Sequence, residues 1–354
     1  MKKRLISFIL ILGLLVTMSL GITGCSTEKK EEPKTDTTAE QKPTEKKPVE
    51  KLTIKLGHPY DEKQPLHQGT VKFAEIVAQK TNGNIEVKIF PNSTLGSSRD
   101  LVEGLELGTI DMGLVPTTNV ASFYKPIDIY YFPFIFRDKE HAYKVADGPV
   151  GQQLNAGLLK EKGIRTLAMF ESGFRTITNS KKPIRTPEDF AGIKMRIVDS
   201  PINLATFKAL GANGSPMAIS EVFTALQQGT VDGQDNPIGN VYSYRYYEVQ
   251  KYITLTGHQW AGIMLMINDK LWNKVPADFQ KIISEAAKEA EVWQRKEINA
   301  KEGEFLETMK KAGLEVTELT PEEKAKFQEK MKAVWTEFQN SVGKDLVEAV
   351  VNTK

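Results

Sequence analysis

Three polar residues lie where the chain predicts the ends of strands, and their side chains could hold an organic anion. Arg175 lies in ESGFRTITNS, Arg196 in IKMRIV and Asn236 in VDGQDNP. Arg196 stands between Met195 and Ile197, where a buried strand normally carries no charge. A planar guanidinium can donate two parallel hydrogen bonds to one carboxylate. Arg196 is therefore either a carboxylate ligand or an arginine on the solvated face of an edge strand.

The sequence carries few of the patterns that support catalysis or metal binding. His58, His67, His141 and His258 form no HxxxH or HxH pair, so no metal site is expected. The only cysteine, Cys25, precedes the main part of the chain, which excludes disulfides and a cysteine nucleophile there. No GxSxG, GxxxxGK[ST] or GxGxxG pattern occurs. We therefore expect neither an enzyme nor a cofactor.

Charge is balanced over most of the chain. Among 354 residues, 47 are Lys or Arg and 45 are Asp or Glu. Residues 51–354 carry 38 of each sign, because the basic start and residues 26–50 hold the others. Nucleic-acid binding normally requires a basic face, so no nucleic-acid partner is expected.

Residues 1–24 have the composition of an export signal. A basic start precedes an apolar run from Leu5 to Leu20, which as a helix would span about 24 Å, less than the roughly 30 Å of bilayer hydrocarbon. Such a segment is typical of a signal peptide. Its ending, Ile22-Thr23-Gly24-Cys25, resembles the bacterial lipobox, which implies that Cys25 is lipidated and anchors the protein. A chance cysteine after an ordinary signal is the alternative.

Residues 25–50 are predicted to form the lipidated cysteine and a disordered charged linker. Residues 26–50 include 13 charged residues, three prolines and no aromatic residue. Such a segment buries too little apolar surface to offset its ordering entropy. A binding tail is the alternative interpretation, but the signs of its charges alternate.

From Leu52 the chain alternates between strand and helix patterns. LTIKLG (52–57), a helix over 65–80 and IEVKIF (85–90) form a βαβ unit, which implies a parallel sheet and an α/β fold. The pattern continues with helices near 97–107, 138–147 and 149–162 and with strands at 109–115 and 164–170.

A second series of the same kind begins in the middle of the chain. It comprises a capped helix in 185–192, a strand at 193–198 and helices at 201–210 and 220–228. Pro276 to Ala312 contains no internal proline, so it predicts one helix of up to about 55 Å that crosses both lobes. A short strand at 314–319 and a helix beginning at Thr320 follow.

Two segments of the chain repeat one pattern. EGLELGTIDMG (103–113) and TALQQGTVDGQ (224–234) share a leucine, two further residues and then Gly-Thr-Ile/Val-Asp, at an offset of 121 residues. Many helices end in glycine, so coincidence is one explanation. The other is two lobes of similar topology.

Several spaced segments resemble the extracytoplasmic solute-binding subunits of TRAP (tripartite ATP-independent periplasmic) transporters, the dicarboxylate-binding-protein-like family. These segments are 91–115, 172–197, 215–237 and 246–258, and the resemblance extends from Leu52 to the C-terminus. It implies a two-lobed, periplasmic-binding-protein-like fold with a ligand cleft between the lobes and a long helix spanning both. It also implies that an arginine captures an organic acid.

The resemblance implies roles for individual residues of the second lobe. Arg196 matches the principal carboxylate-binding arginine, Arg175 an assisting arginine and Asn236 a polar ligand contact. Asp199 and Ile219 match cleft-lining positions where sialic-acid binders carry Asn and Phe, which argues against sialic acid.

The first lobe also offers candidate ligand contacts. The segments Gly57–Pro59 and Thr117–Asn119 follow predicted strands, and α/β sheets bind ligands beyond the carboxyl ends of their strands. His58, Thr117 and Asn119 are therefore candidate ligand residues, although His58 could instead be a turn residue. Trp260 and the tyrosines at 242–247 could line a sugar-like ligand or simply pack in the core.

These observations predict a lipid-anchored solute-binding protein that delivers a small carboxylate to membrane permease subunits. It is expected at the extracytoplasmic or periplasmic face of the cell envelope, as a monomer. A sensor for a signalling partner and an envelope hydrolase are the alternatives. The identity of the acid stays open. Lobe I is predicted at 51–173 plus roughly 262–300, and lobe II at 174–261 plus roughly 301–354.

Overall fold

The computed structural model describes residues 51–354, in which helices pack on a mixed sheet of ten strands. The predicted signal peptide, Cys25 and the linker at 25–50 lie outside the described residues. No helix within residues 51–354 is both long enough and apolar enough to cross a membrane.

Residues 52–121, which we call the first unit, supply the three adjacent strands at one end of the sheet. The elements of this unit are β1 (Leu52–Gly57), α1 (Pro65–Lys80), β2 (Ile85–Phe90), α2 (Ser98–Leu107), β3 (Met112–Pro116) and α3 (Thr117–Ala121). Strand β1 is parallel to both β2 and β3, as the βαβ pattern predicts. A capping box of Ser97 and Asp100 begins α2, and Gly108 ends it with a φ of 82°.

Residues 194–243 form what we call the second unit. Helices α4 (Lys139–Asp147) and α5 (Pro149–Lys162) and the long strand β4 (Ile164–Asn179) lead to it. It contains β5 (Lys194–Ile197), α6 (Pro201–Ala209), β6 (Asn213–Pro216), α7 (Val222–Gln227), β7 (Gly233–Pro237) and α8 (Ile238–Ser243). Strand β5 is parallel to both β6 and β7. The second unit therefore has the same order of elements as the first.

Two long strands join the units. The remaining elements are β8 (Tyr252–Leu255), β9 (Trp260–Asn268), α9 (Asp269–Trp272), α10 (Ala277–Lys311), β10 (Glu315–Glu318), α11 (Pro321–Val342) and α12 (Lys344–Asn352). Strands β4 and β9 pair antiparallel with each other, β9 also pairs with β3, and β4 also pairs with β7. The resulting strand order is β2-β1-β3-β9-β4-β7-β5-β6, with β8 and β10 attached through β4.

The sequence repeat corresponds to a repeat in the structure. Asp111 Oδ2 accepts a hydrogen bond from the backbone N of Lys55 (2.9 Å). At the same offset of 121 residues, Asp232 Oδ2 accepts one from the backbone N of Lys194 (3.0 Å). Each aspartate thus ties the start of its strand to the neighbouring parallel strand. We conclude that the repeat reflects two equivalent units and not coincidence.

The long helix contacts both units, as predicted. Ile283 and Ala290 of α10 lie in the apolar core formed with β1 and α1. Further along the helix, Phe305 stacks on Tyr242 with ring centroids 4.3 Å apart, and Met309 lies in the core of the second unit. The fold is therefore a two-lobed α/β fold with one helix spanning both lobes.

Some element boundaries differ from the sequence-based expectation. Strand β4 continues past residue 170 to Asn179, because a β-bulge at Glu171–Gly173, with Gly173 at a φ of 104°, lets the pairing resume. The helix expected in 185–192 is only a 3-10 turn, Pro187–Phe190.

Helix α12, which was predicted to belong to lobe II, contacts the first lobe, since His141 Nε2 bonds to the Val350 carbonyl at 2.9 Å. The exact lobe boundaries stay a prediction.

Candidate ligand-binding site

A cavity of about 440 Å³ lies between the two units. It is found beyond the carboxyl ends of β1, β3, β5 and β7, where α/β sheets usually bind ligands. The first unit contributes Pro59, Tyr60, Ser97, Arg99, Thr117 and Asn119 to its wall, and the second contributes Arg196, Asp199, Met217, Ile219, Asn236 and Asn240. Tyr131, Ser172 and Arg175 come from the segments that join the units.

Arg196 is a buried cation that has no anionic partner within residues 51–354. It is 3% exposed, and strand β5 lies between β6 and β7, so it is not on a solvated edge. Its Nε and Nη2 donate to the carbonyl oxygen of Met217, at 3.0 and 2.7 Å, and its Nη1 is buried without a partner. Burial lowers the pKa of Arg196 from its ordinary value. A buried charge that lacks a partner is costly, so this wall of the cavity favours an anion.

Arg175, in contrast, already has a counter-charge. Its Nε donates to Asp235 Oδ2, and its Nη2 donates to the Asp235 carbonyl oxygen. Burial opposes both charges, but their mutual attraction raises the pKa of Arg175 and lowers that of Asp235. The guanidinium also lies over the ring of Tyr131, with its Cζ 5.5 Å from the ring centroid. Arg175 therefore adds hydrogen-bonding capacity to the wall but little net charge.

A buried histidine lies next to the pair of Arg175 and Asp235. His258 Nε2 lies 3.6 Å from Asp235 Oδ2, and a 2.6 Å hydrogen bond joins His258 Nδ1 to Thr256 Oγ1. Burial lowers the pKa of His258, although Asp235 opposes this shift. The neutral imidazole leaves the charge of the pair balanced.

A chain of amide side chains orders the floor of the cavity. Asn240 Nδ2 donates to Asn236 Oδ1 (3.0 Å), and Asn236 Nδ2 donates to Gln234 Oε1 (2.6 Å). The chain continues through Thr178, which accepts from Gln234 Nε2 at 2.8 Å. At its other end, Ser172 Oγ lies 3.3 Å from Asn240 Oδ1. Each amide oxygen is thereby engaged, so the second N–H groups of Asn236 and Asn240 remain to donate to a ligand.

The structure brings seven of the predicted site residues together. Arg175, Arg196, Asp199, Ile219, Asn236, Thr117 and Asn119 all line the cavity. They come from both units, although they are distant in sequence. Their contact with a ligand stays a prediction.

His58 does not line the cavity, because its ring is turned into the loop after β1. It is fully buried, its Nδ1 accepts from the backbone N of Tyr60 (3.1 Å), and its Nε2 bonds to His67 Nδ1 (3.1 Å). Burial, aided by the nearby His67, lowers the pKa of His58 to about 3. His58 thus orders the loop that presents Pro59 and Tyr60 to the cavity, which is the turn role considered above.

Trp260 also lies outside the cavity wall. It is fully buried at the junction of β4 and β9, and its Nε1 donates to Glu171 Oε1 (2.9 Å). Phe136 and Tyr143 pack edge-on against it, with centroids 5.6 and 6.4 Å away. Its role in this structure is packing, because aromatic neighbours and a buried carboxylate occupy its surface.

Many wall residues were not predicted as site residues from the sequence, and polar examples are Tyr60, Tyr131, Ser172 and Asn240. Asn240 could have been found, because the repeat offset of 121 residues places it at the position of Asn119. Tyr131 and Ser172 come from joining segments and carried no pattern of their own.

Within residues 51–354, no cluster of His, Cys, Asp and Glu has the composition of a metal site. The buried part of the wall instead offers one unpaired cation, Arg196, together with amides and hydroxyls. Such groups bind and orient an anionic molecule.

Comparison with known proteins gives the family. The model of the bacterial extracellular solute-binding proteins, family 7 (DctP), matches residues 56–341. The chain belongs to this family. It is therefore a solute-binding protein of the TRAP type and not an enzyme.

Similar proteins cover most of the chain. The 2,3-diketo-L-gulonate-binding periplasmic protein YiaO of Escherichia coli K12 is 37% identical over 264 residues, which is 75% of this chain and 80% of that protein. A TRAP solute-binding protein of Sulfurospirillum deleyianum, solved with bound succinate, is 37% identical with a TM-score of 0.82, covering 86% of this chain and 100% of that one. Another, from Polaromonas sp. JS666 with bound D-erythronate, is 35% identical with a TM-score of 0.82, covering 86% and 99%.

Proposed function

We propose that this protein is a lipid-anchored extracytoplasmic receptor that captures a small organic acid and delivers it to the permease of a TRAP transporter. The observation that carries the proposal is the unpaired guanidinium of Arg196 in the wall of the cavity. A ligand carboxylate would supply the missing counter-charge. The proteins named above support the chemical class, because diketogulonate, succinate and erythronate are all carboxylates.

Binding in this scheme closes the cleft. A ligand held by Arg196 on the second unit and by Thr117 on the first gains contacts only when the units approach, so it shifts the population toward the closed form. The junction of β4 and β9 provides the hinge, where the bulge at Glu171–Gly173 interrupts the regular pairing. Scattering should therefore give a smaller radius of gyration with ligand than without it. An unchanged radius with confirmed binding contradicts closure.

Substitution of Arg196 tests the carboxylate site. Calorimetry identifies the acid that binds and measures its affinity. Arg196→Ala should weaken this binding by about 30-fold to several thousand-fold, because a buried carboxylate that loses its partner costs roughly 2–5 kcal/mol of binding free energy. Arg196→Lys should also weaken it, because an ammonium lacks the planar fork. The matched control is Arg185→Ala, which removes an exposed pair with Glu323 outside the cavity. A loss below threefold for Arg196→Ala contradicts the proposal.

Anchoring and delivery need separate tests. Cys25→Ser should move the protein from the membrane fraction to the soluble fraction without changing ligand affinity. Retention of the variant on membranes after a carbonate wash argues against the anchor. Delivery requires that vesicles containing the partner permease accumulate the labelled acid only when the receptor is present. Binding without such uptake favours the sensor.

A further inference from the structure

A cluster of polar and charged side chains from α4, β4 and α10 lies at the hinge and outside the cavity wall. Its best-buried member is Glu171, whose carboxylate accepts hydrogen bonds from Trp260 Nε1 (2.9 Å) and from Tyr143 OH. Burial raises the pKa of Glu171. Buried charged groups usually cost stability. Ligand capture by Arg196 uses none of the groups in this cluster.

Side chains of α10 take the place of a strand beside the bulge. As far as residue 174, strand β4 pairs only with β9 among the described strands. On the opposite edge, Gln294 Oε1 accepts from the backbone N of Glu171 (2.9 Å), and Gln294 Nε2 donates to the Glu171 carbonyl oxygen (2.7 Å). Arg295 Nη2 donates to the Met169 carbonyl oxygen in the same way (2.7 Å). The strand that leads into the hinge is therefore fastened to α10 through its backbone.

Helix α4 is attached to α10 at two points. Near the end of α4, Asp147 accepts from Arg295 Nη1 and Nη2, at 2.8 and 3.0 Å. At the start of α4, Lys139 forms an ion pair with Glu302. Arg295 follows the part of α10 that lies in the core of the first unit, whereas Glu302 lies one turn before Phe305, which packs on the second unit. The two attachment points therefore lie on either side of the place where α10 passes from one unit to the other.

Glu302 also lies against the glycine of the bulge. A Cβ added at Gly173 would be only 2.6 Å from Glu302 Oε1, so a turn of the chain at Gly173 must move this carboxylate relative to Lys139. The ion pair is largely shielded, with side chains 25% and 20% exposed, and electrostatic attraction grows as water is excluded. The same structure contains the bond between Tyr244 and Pro59 across the cleft. The ion pair is therefore present when the two units are in contact.

We propose that Lys139 and Glu302 are positioning residues that stabilise the closed form from the hinge, while Gln294 fixes the strand about which the units turn. The inference rests on the proposed closure of the cleft. Opening the cleft moves the second unit, with the part of α10 that packs on it, away from α4, so the ion pair is lost. A contact made only in the closed form raises the fraction of closed protein and hence the ligand affinity, although neither residue touches the ligand.

Release of ligand from variants of this ion pair tests the proposal. Succinate and D-erythronate serve as probes, and the one that binds the wild-type protein more tightly is used throughout. Glu302→Gln and Lys139→Gln should each raise the dissociation rate by about twofold to fivefold and leave the association rate nearly unchanged. The double variant should release the probe no faster than either single variant, because the same contact is lost in all three. Stopped-flow tryptophan fluorescence measures both rates.

The matched control is Glu289→Gln. Glu289 also lies on α10, and it pairs with Lys80 of α1 at 3.1 Å, so this ion pair lies on the side of the first unit alone. The control should release the probe at the wild-type rate. Wild-type release from both Glu302→Gln and Lys139→Gln overturns the proposal, even if their melting temperatures fall, because a lower melting temperature alone shows a structural role. Additive increases in the double variant overturn it as well.

These outcomes separate the inference from the proposed function. If the probe binds but leaves the radius of gyration of the wild-type protein unchanged, closure and the inference fail together, whereas capture by Arg196 stands. If the radius falls on binding but the variants of the ion pair release the probe at the wild-type rate, the inference alone fails. If Arg196→Ala binds as tightly as the wild-type protein, carboxylate capture fails, and the release rates still decide the inference.

Discussion

In the first unit the residue of β1 that pairs with Gly113 is Gly57, whereas in the second unit the residue of β5 that pairs with Gln234 is Arg196. These positions are equivalent, because Gly113 and Gln234 are separated by the repeat offset of 121 residues. A Cβ added at Gly57 would lie 2.6 Å from Leu101 Cδ2, so the first unit has no room there for a side chain. The second unit places its guanidinium at this point.

The neighbouring strands show the same difference. Leu114 and Val115 of β3 are fully buried apolar residues. Their equivalents on β7 are Asp235 and Asn236. Asp235 forms an ion pair with Arg175, and Asn236 belongs to the hydrogen-bonded chain of amide side chains. The second unit therefore contributes the charged and amide groups of the site. The first unit contributes hydroxyl groups at the cavity wall, with apolar residues packed behind them. An apolar surrounding strengthens the attraction between Arg196 and an anion, since electrostatic interactions grow as the local dielectric constant falls.

The largest effect on stability is expected from the buried ion pair that the first unit lacks. Asp235→Asn leaves Arg175 buried without its counter-charge and should lower the free energy of unfolding by about 3–5 kcal/mol. Chemical denaturation at pH 7 measures this change. The double variant Arg175→Met/Asp235→Leu, which gives β7 the leucine found at Leu114, should recover most of the loss.

The double variant also serves as the control, because it removes both charges together. A double variant as unstable as Asp235→Asn would show that packing and not charge balance accounts for the loss. The comparison of the two units would then lose its electrostatic basis.

A second effect concerns pH and the buried histidines of the two halves. His58 has a folded pKa of about 3, below its ordinary value of about 6.5, mainly because of burial. Between these values the unfolded chain binds a proton that the folded protein does not, so stability falls as the pH drops below about 6.5. Between pH 7 and pH 5 the protonation of His58 should lower the free energy of unfolding by about 2 kcal/mol. His258, whose pKa is also lowered, should act in the same direction.

Denaturation at the two pH values checks this sign. In His58→Asn the loss of stability between pH 7 and pH 5 should shrink by about 2 kcal/mol, whatever the variant's stability at pH 7. An unchanged loss would mean that His58 titrates normally in the folded protein.

The smallest effect is expected where the two units touch across the cleft. Tyr244 directly follows α8 of the second unit, and its OH donates to the Pro59 carbonyl, in the loop after β1, at 3.2 Å. Tyr244→Phe should weaken ligand binding by about twofold to tenfold, mainly through faster dissociation, because the closed form loses one contact. Stopped-flow measurement of release tests this. Tyr242→Phe, which keeps its stacking on Phe305, is the control and should release the ligand at the wild-type rate.

Local sequence patterns predicted most of the secondary structure. Periodicity, caps and prolines act within a few residues of the chain. They predicted the helix at 65–80, the βαβ unit and the long helix α10. The full length of β4 did not, because the segment after residue 170 forms a strand only through its pairing with β7, β8 and β9. A strand held by distant partners leaves a weak local signal.

For the site, the sequence by itself determined that Arg196 is anomalous, since a charge within an apolar strand is visible without coordinates. It did not determine whether Arg175 or Arg196 is free to bind an anion. That depends on Asp235, which lies 60 residues from Arg175 and reaches it only through the pairing of β4 with β7. The placement of His58 and Trp260 away from the cavity was likewise decided by the tertiary structure. Burial and charge compensation are properties of neighbours in space, and these neighbours come from distant parts of the chain.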